Sequence, residues 1–131
     1  MFSEKELEYI KSQKLLRLAT VAPDGQPDVV PLTMSFDGTY FYCGGASMHT
    51  TRKYKNVLAA GGTAKVSIEM DDTEVTWPRG IKIYGKGELI ERDGGPRREK
   101  MYIKVTPEVS WSWGVEKPMV PGASGFQKTK H

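Results

Sequence analysis

Short runs of alternating apolar and polar residues, separated by tight turn signals, are the feature that most restricts this chain. Leu15, Leu16, Leu18, Ala19 and Val21 form one such run, and Pro23-Asp24-Gly25 turns it back. The returning arm, Asp28 to Phe36, holds Pro31, which has no amide hydrogen to give a ladder and so marks an edge, a bulge or backbone facing something other than a strand. Asp37-Gly38 closes a second tight turn before Thr39 to Cys43. Ala64, Val66, Ile68 and Met70 alternate with Lys65, Ser67 and Glu69, the pattern of a strand with one wet face. Ile81, Ile83, Gly85, Gly87 and Leu89 alternate in the same way, the glycines predicting a bend or a close approach, and Val105 to Trp113 supplies the last run. Connections this short leave no room for crossover helices, which excludes a doubly wound parallel sheet. The expected fold is mainly β, a six-stranded antiparallel barrel with helices attached.

Two helices are predicted. Ser3-x-x-Glu6 is a capping box flanked by Phe2 and Leu7 as a staple, so the first helix starts at about Glu4 and stops near Ser12-Gln13. The second follows Gly44-Gly45, with Thr50 or Thr51 as N-cap, Tyr54, Val57 and Leu58 at helical spacing, and Gly61-Gly62 as its end. A short helix is expected over Pro96 to Tyr102, an acidic irregular segment over Asp71 to Glu74, and a tail without assigned structure from Pro118 to His131.

At 131 residues the chain fits one domain spanning its whole length. Nineteen Lys and Arg against 16 Asp and Glu give a net charge of +3, too weak a field to announce a nucleic-acid partner. The single cysteine, Cys43, rules out an internal disulfide and a Cys-x-x-Cys pair, and points to a reducing cytoplasm. No apolar run approaches the ~18 residues that cross a membrane as a helix. Three Trp in so thin a core favour a partner subunit or a flat ligand, and Trp111 and Trp113, two apart, share one face of a strand.

The chemistry concentrates between Cys43 and Asn56. A glycine-rich strand exit enters a helix N-terminus, where free amides favour an anion. Hydroxyls of Ser47, Thr50 and Thr51 and the cations of Arg52 and Lys53 would complete a phosphate cradle. The same residues also describe a capped, solvated helix face, and spacing alone leaves both readings open. His49 and His131 are too few and too far apart for a metal site. Asp71, Asp72 and Glu74 fit an acidic surface loop better than a general acid/base pair, and Cys43 and Ser47 have no sequence-adjacent base beyond His49.

Leu18-Ala19-Thr20-Val21, Pro23-Asp24-Gly25-Gln26-Pro27, Val29-Val30-Pro31-Leu32 and Lys53-x-x-Asn56-Val57 together resemble the pyridoxamine 5′-phosphate oxidase-like flavin-binding split barrels. Asp71-Asp72, Trp77-Pro78-Arg79-Gly80-Ile81, Gly85-Lys86-Gly87 and Ser112-Trp113-Gly114 are similar to one branch, the flavin/deazaflavin oxidoreductases that include users of coenzyme F-420. The resemblance implies a homodimer with two cofactor sites at its interface and a small-molecule substrate. It implies that Val30, Pro31, Leu32 and Thr33 line the cofactor ring, that Ser47, Thr50, Thr51, Arg52 and Lys53 hold its phosphate, and that Asn56 braces the helix. It also implies Trp77 and Arg79 beside the ring or tail, from either subunit. Gly61-Gly62-Thr63-Ala64-Lys65 departs from the Asn-Pro-Arg type of turn common in the family, and the Arg-x-His pair of true pyridoxamine 5′-phosphate oxidases is missing, which argues against vitamin B6 oxidation.

The expected activity is hydride transfer between F-420 or FMN and a small organic molecule, with no catalytic side chain and no metal required. A non-catalytic flavin or heme binding module is the alternative. A single-strand nucleic-acid binder using Tyr40, Phe41 and Tyr42 as stacking platforms is a third reading, opposed by the weak net charge.

Overall fold

The structure, a computed structural model, describes residues 1–74, 77–93, 100–119 and 125–131. Ser3 starts helix α1 (Glu4–Ser12) through a complete capping box: its Oγ accepts from the Glu6 amide at 3.1 Å, and its own amide donates to Glu6 Oε1 at 3.0 Å. Phe2 is buried and Leu7 packs against the same cluster. Strands β1 (Leu15–Val21) and β2 (Pro27–Thr33) form the first hairpin. Gly25 carries it through its turn at φ 90°, a conformation that only glycine adopts freely.

After β3 (Phe41–Cys43) and a 3₁₀ turn at Met48–Thr50 comes helix α2 (Arg52–Ala59). Three antiparallel strands follow: β4 (Thr63–Asp72), β5 (Arg79–Glu91) and β6 (Met101–Trp113). The sheet order is β2-β1-β4-β5-β6-β3. Its two end strands meet only where Phe36 bridges Phe41 and the Tyr42 amide reaches Ser35 O at 2.9 Å. The barrel is therefore split along the line between β2 and β3.

Register sorts the faces. Leu16 opposes Leu32 and Leu18 opposes Val30 on the inside, while Pro31 opposes Arg17 on the outside. Ile68, Met70, Ile81, Ile83, Ile103 and Val105 fill the interior with Phe41, and α1 adds Tyr9 and Ile10. Pro31 is tolerated because β2 is an edge strand. Among the described residues no helix is long and apolar enough to cross a membrane.

Several expectations are corrected. A seventh strand, β7 (Phe126–Lys130), lies within the tail and pairs with β6 from Val109↔Lys130 to Trp113↔Phe126, on the edge that β3 leaves open. Met101 and Tyr102 belong to β6 rather than to a short helix, Lys100 is not helical, and the rest of that expected helix, 96–99, lies outside the described residues. Asp71 and Asp72 continue β4 instead of opening an irregular loop, because cross-strand cations compensate them: Arg17 reaches Asp71 at 2.9 Å and Arg79 reaches Asp72 at 2.9 Å. Strand β3 is shorter than expected, since Thr39 and Tyr40 form a turn on Asp37, whose Oδ1 accepts both amides. Trp111 and Trp113 sit on the outer face, Trp111 edge-on to Tyr84 at 4.8 Å and Trp113 beside Phe126, while the inward positions belong to Ser110 and Ser112.

The bend predicted from the glycines of β5 is a bulge between Tyr84 and Gly85. A Cβ at Gly85 would stand 2.7 Å from Thr106 O and 2.9 Å from Val105 Cγ1, atoms that cannot move aside cheaply. Gly85→Ala is expected to cost about 1–3 kcal/mol in urea unfolding, the range for overpacking. On the outer face, Arg17 lies between Glu69 (3.5 Å) and Asp71 (2.9 Å). Burial and then the Asp71 charge push the Glu69 carboxyl up to about 7, against the pull of Arg17. The folded chain thus keeps a proton that the unfolded chain releases from about pH 4.5 upward, so this group's contribution to stability falls as pH rises toward 7. Glu69→Gln, neutral throughout, is expected to flatten the unfolding midpoint across that window. A pH profile as steep as the parent's would count against the assignment.

Candidate functional site: the cleft along the barrel split

Where β2 and β3 part, the outside of the barrel opens into a cleft of about 570 Å³. One wall is the end of β2 and its continuation, Pro31, Leu32, Thr33, Met34 and Ser35; the other is Tyr42, Gly44, Gly45 and Tyr102. Both positions are crowded, Gly44 by an aromatic ring and Gly45 by the flexible end of a lysine. A Cβ on Gly44 would lie 2.8 Å from Tyr102 Cε1, and one on Gly45 would lie 2.8 Å from Lys53 Nζ. The floor is therefore bare backbone, with a tyrosine ring under one residue and an ammonium beside the next.

The connection into α2 is tightly wound. Ser47 has φ 54° and ψ 50°, and it is the one non-glycine residue with positive φ among those described. Holding an L-residue there costs roughly 1–2 kcal/mol, a strain that concentrates at functional sites. Thr50 Oγ1 donates to Ser47 O at 2.8 Å and Thr51 Oγ1 to Met48 O at 2.7 Å. Thr51 is also the helix cap, its Oγ1 accepting from the Tyr54 amide. The two threonine protons thus shape the loop rather than point at a ligand. Arg52 is exposed, while Lys53 is buried, folded beneath the glycine floor.

Asn56 anchors this helix to the barrel. It is buried, and its Nδ2 donates to the buried Thr20 Oγ1 of β1 at 2.9 Å. That contact fixes the distance between α2 and β1, and hence the position of Lys53 one turn earlier.

The structure brings Pro31, Leu32 and Thr33 together with Gly44, Gly45 and the Lys53 ammonium, and leaves Ser47, Thr50, Thr51 and Arg52 on the next turn of chain. Val30 is half-buried opposite Leu18 and does not line the cleft. Arg79 lies elsewhere in the same chain: its Nε meets Asp72 at 2.9 Å, its guanidinium stacks 4.8 Å from the Tyr9 ring, and it lines a separate cleft. Trp77 is exposed just before β5. Tyr42 and Tyr102 were missed as wall residues by sequence reasoning. Their signal was alternation: in Tyr40-Phe41-Tyr42, only Phe41 can face the core.

The other chemical candidates take structural roles. Cys43 is fully buried and its thiol is pushed up to about 12, with Lys53 pulling weakly the other way, so it is inert as a nucleophile. Hydrogen bonds from Arg79 and Gln13 outweigh burial and hold Asp72 below the usual carboxylate range. His49 packs edge-on to Tyr54 at 4.7 Å. Among the described residues no three His, Cys, Asp or Glu side chains are placed to hold a metal ion.

Comparison with known proteins agrees on the family and the fold. Residues 2–123 match the family model described as pyridoxamine 5′-phosphate oxidase. The 5a,11a-dehydrotetracycline/5a,11a-dehydrooxytetracycline reductase of Streptomyces rimosus is 30% identical over 130 residues, covering 92% of this chain and 89% of its own. An F-420 reductase superposes with a TM-score of 0.61 at 22% identity, covering 79% of this chain and 94% of that one. The heme storage protein HutZ of Vibrio cholerae superposes at 0.63 with 20% identity, covering 82% and 92%. The two structural likenesses speak to the fold.

Replacing Asn56 by Ala removes the anchor of α2 and leaves Thr20 in the core without its donor. We expect a loss of about 1–3 kcal/mol in denaturant unfolding, the range for a buried hydrogen bond with one partner deleted.

Proposed function

This chain belongs to the pyridoxamine 5′-phosphate oxidase family, and we propose that it is an oxidoreductase transferring a hydride between coenzyme F-420, or FMN, and a small organic substrate. The observation that carries the reading is the floor of the cleft: two glycines whose missing side chains leave room for the Tyr102 ring and for the Lys53 ammonium folded against the second. Side-chain-free backbone lining an open groove, with a buried cation against it, fits the phosphate of such a cofactor, and the wall of Pro31, Leu32 and Thr33 fits its ring. The bound cofactor would supply the hydride chemistry. The chain's work is to bind, to orient and to keep water from the ring face. Lys53 would neutralise phosphate from below and Arg52 from the solvent side. The relative from Streptomyces rimosus, a reductase of dehydrotetracyclines, supports the reducing direction.

Between the two cofactors we favour F-420. Its anionic oligoglutamate tail would run over exposed cations, and Arg52 and Lys55 stand exposed on α2. The proposal includes a homodimer with its two sites at the interface. Leu15, Val29 and Tyr84 are 48%, 65% and 48% exposed on the outer face of the barrel, more apolar surface than β1, β2 and β5 need leave to water. Trp77 and Arg79, remote from the cleft of their own chain, would approach the cleft of the second copy.

The test is a fluorescence titration of the purified chain with F-420 and with FMN, each at two salt concentrations. We expect saturable binding at one site per chain, weakened by salt. Replacing Arg52 and Lys53 together by Ala should cost about 1–3 kcal/mol of affinity per charge-assisted bond. Gly45→Ala should weaken binding by displacing the Lys53 ammonium, a flexible end, while leaving the unfolding midpoint nearly unchanged. Unchanged affinity in the double variant would sink the phosphate assignment. Binding without turnover of any substrate by the reduced cofactor would make the protein a binding module instead.

A further inference from the structure

One end of the cleft has no part in the cofactor reading. By register, Tyr42 of β3, Tyr102 and Lys104 of β6, and Ile90 of β5 share the outer face, with Phe41, Cys43, Ile103 and Val105 turned inward. Arg92 follows the end of β5, where its amide donates to Lys100 O at 2.7 Å and closes the β5–β6 pair. From there its guanidinium lies 3.8 Å from the centroid of the Tyr42 ring and 5.9 Å from that of Tyr102. Both tyrosines line the cleft.

Each ring is held in place. The Tyr42 hydroxyl donates to Asp37 Oδ2 at 2.9 Å, and Tyr102 is wedged against Gly44, where even a methyl group would collide with it. The guanidinium is fixed by stacking instead of by an ion pair. Among the described residues no carboxylate oxygen lies within 4.0 Å of it and no side chain or carbonyl accepts from its N–H groups, although the Asp37 charge is felt nearby. A planar cation parked on an aromatic ring, with its hydrogen-bonding fork uncommitted to these residues, is well shaped to take a planar anion from the edge.

We propose that Tyr42, Tyr102 and Arg92 form the substrate-recognition end of the cleft, selecting planar conjugated molecules that carry an anionic oxygen at the ring edge: an enolate, a phenolate or a carboxylate. The proposal rests on reading the remainder of the cleft as the cofactor site. The part-exposed Tyr42 ring, backed by the buried Tyr102, would give an apolar contact, and the Arg92 fork would add charge-assisted bonds to the anionic oxygen that a neutral analogue does not receive. Selectivity therefore resides in Arg92, whereas the tyrosines serve both kinds of ligand.

Two naphthoquinones of nearly equal size separate charge from stacking: menadione, which is neutral, and lawsone, a hydroxynaphthoquinone that is an enolate anion at neutral pH. Each is titrated calorimetrically into the full chain, with and without saturating oxidised cofactor. We expect the parent to prefer lawsone, and Arg92→Ala to lose about tenfold or more for lawsone with less than about a twofold change for menadione, the range of a hydrogen bond to a charged group. Arg92→Lys, keeping charge but not the fork, should fall between. Cofactor affinity should be unchanged in both variants. Equal losses for the two quinones, or none for either, would overturn the proposal by leaving Arg92 only a packing role. The proposed function fails separately, if the parent chain binds neither F-420 nor FMN; the lawsone-to-menadione ratio measured without cofactor still decides the role of Arg92.

Discussion

The pairing of β5 with β6 is the constraint on which the rest depends. It runs from Glu91↔Met101 to Gly80↔Trp113, and both strands are 13 residues long. Strand β4 is built on one side of this hairpin, and β3 and β7 on the other. A flat ladder of that length could not curl, and the shift at Tyr84/Gly85 supplies the curvature. Gly87 helps by admitting Ile103 and Val66 where a Cβ would stand 3.0 Å from each. Because the sheet curls without fully closing, β2 and β3 end beside each other with a groove between them, and the groove is the candidate site. A closed barrel of this size would have filled its interior with side chains and offered no such cleft.

The groove takes its chemistry from where α2 is held. Asn56 ties the helix to Thr20, and the turn of the helix that precedes it brings Lys53 under Gly45. The Lys53 ammonium is buried there, near a Cys43 thiol that burial keeps protonated. With the left-handed Ser47 and the committed hydroxyls of Thr50 and Thr51, the loop is shaped before any ligand arrives, which lowers the ordering entropy of binding.

Local rules made much of this legible in the sequence. The capping box at Ser3, the turn at Gly25, the cap at Thr51 and the irregularity at Gly85 are each decided by a few neighbouring residues, and the structure has them all. What was not legible depends on residues far apart in the chain. The extension of β4 through Asp71 and Asp72 needs Arg17 and Arg79 across the sheet, and no local pattern announces those pairs. Strand β7 has a weak apolar pattern, its residues mostly exposed, and it exists because β6 offers an unpaired edge beyond β3. The site divides in the same way: the glycine floor and the β2 wall follow from motifs, while the placing of Arg79 against Tyr9 and of Arg92 over Tyr42 follows from tertiary packing.

The lining of the cleft also explains why its residues carry no sign of acid–base machinery. Its walls are proline, leucine, methionine, glycine and tyrosine, with Thr33 and Ser35 as the hydroxyl groups. The Tyr42 phenol is held by its hydrogen bond to Asp37, which raises its pKa above the ordinary tyrosine value. Backbone amides of Tyr40 and Thr39 in turn keep the Asp37 carboxyl low, so the pair stays as neutral phenol and carboxylate through neutral pH. The ring therefore presents a platform of constant charge to whatever lies against it. Charge next to the lining comes from the Lys53 ammonium against Gly45 and the Arg92 guanidinium over Tyr42, and under the proposals above a ligand spanning the cleft would be read by where its anionic groups fall between them.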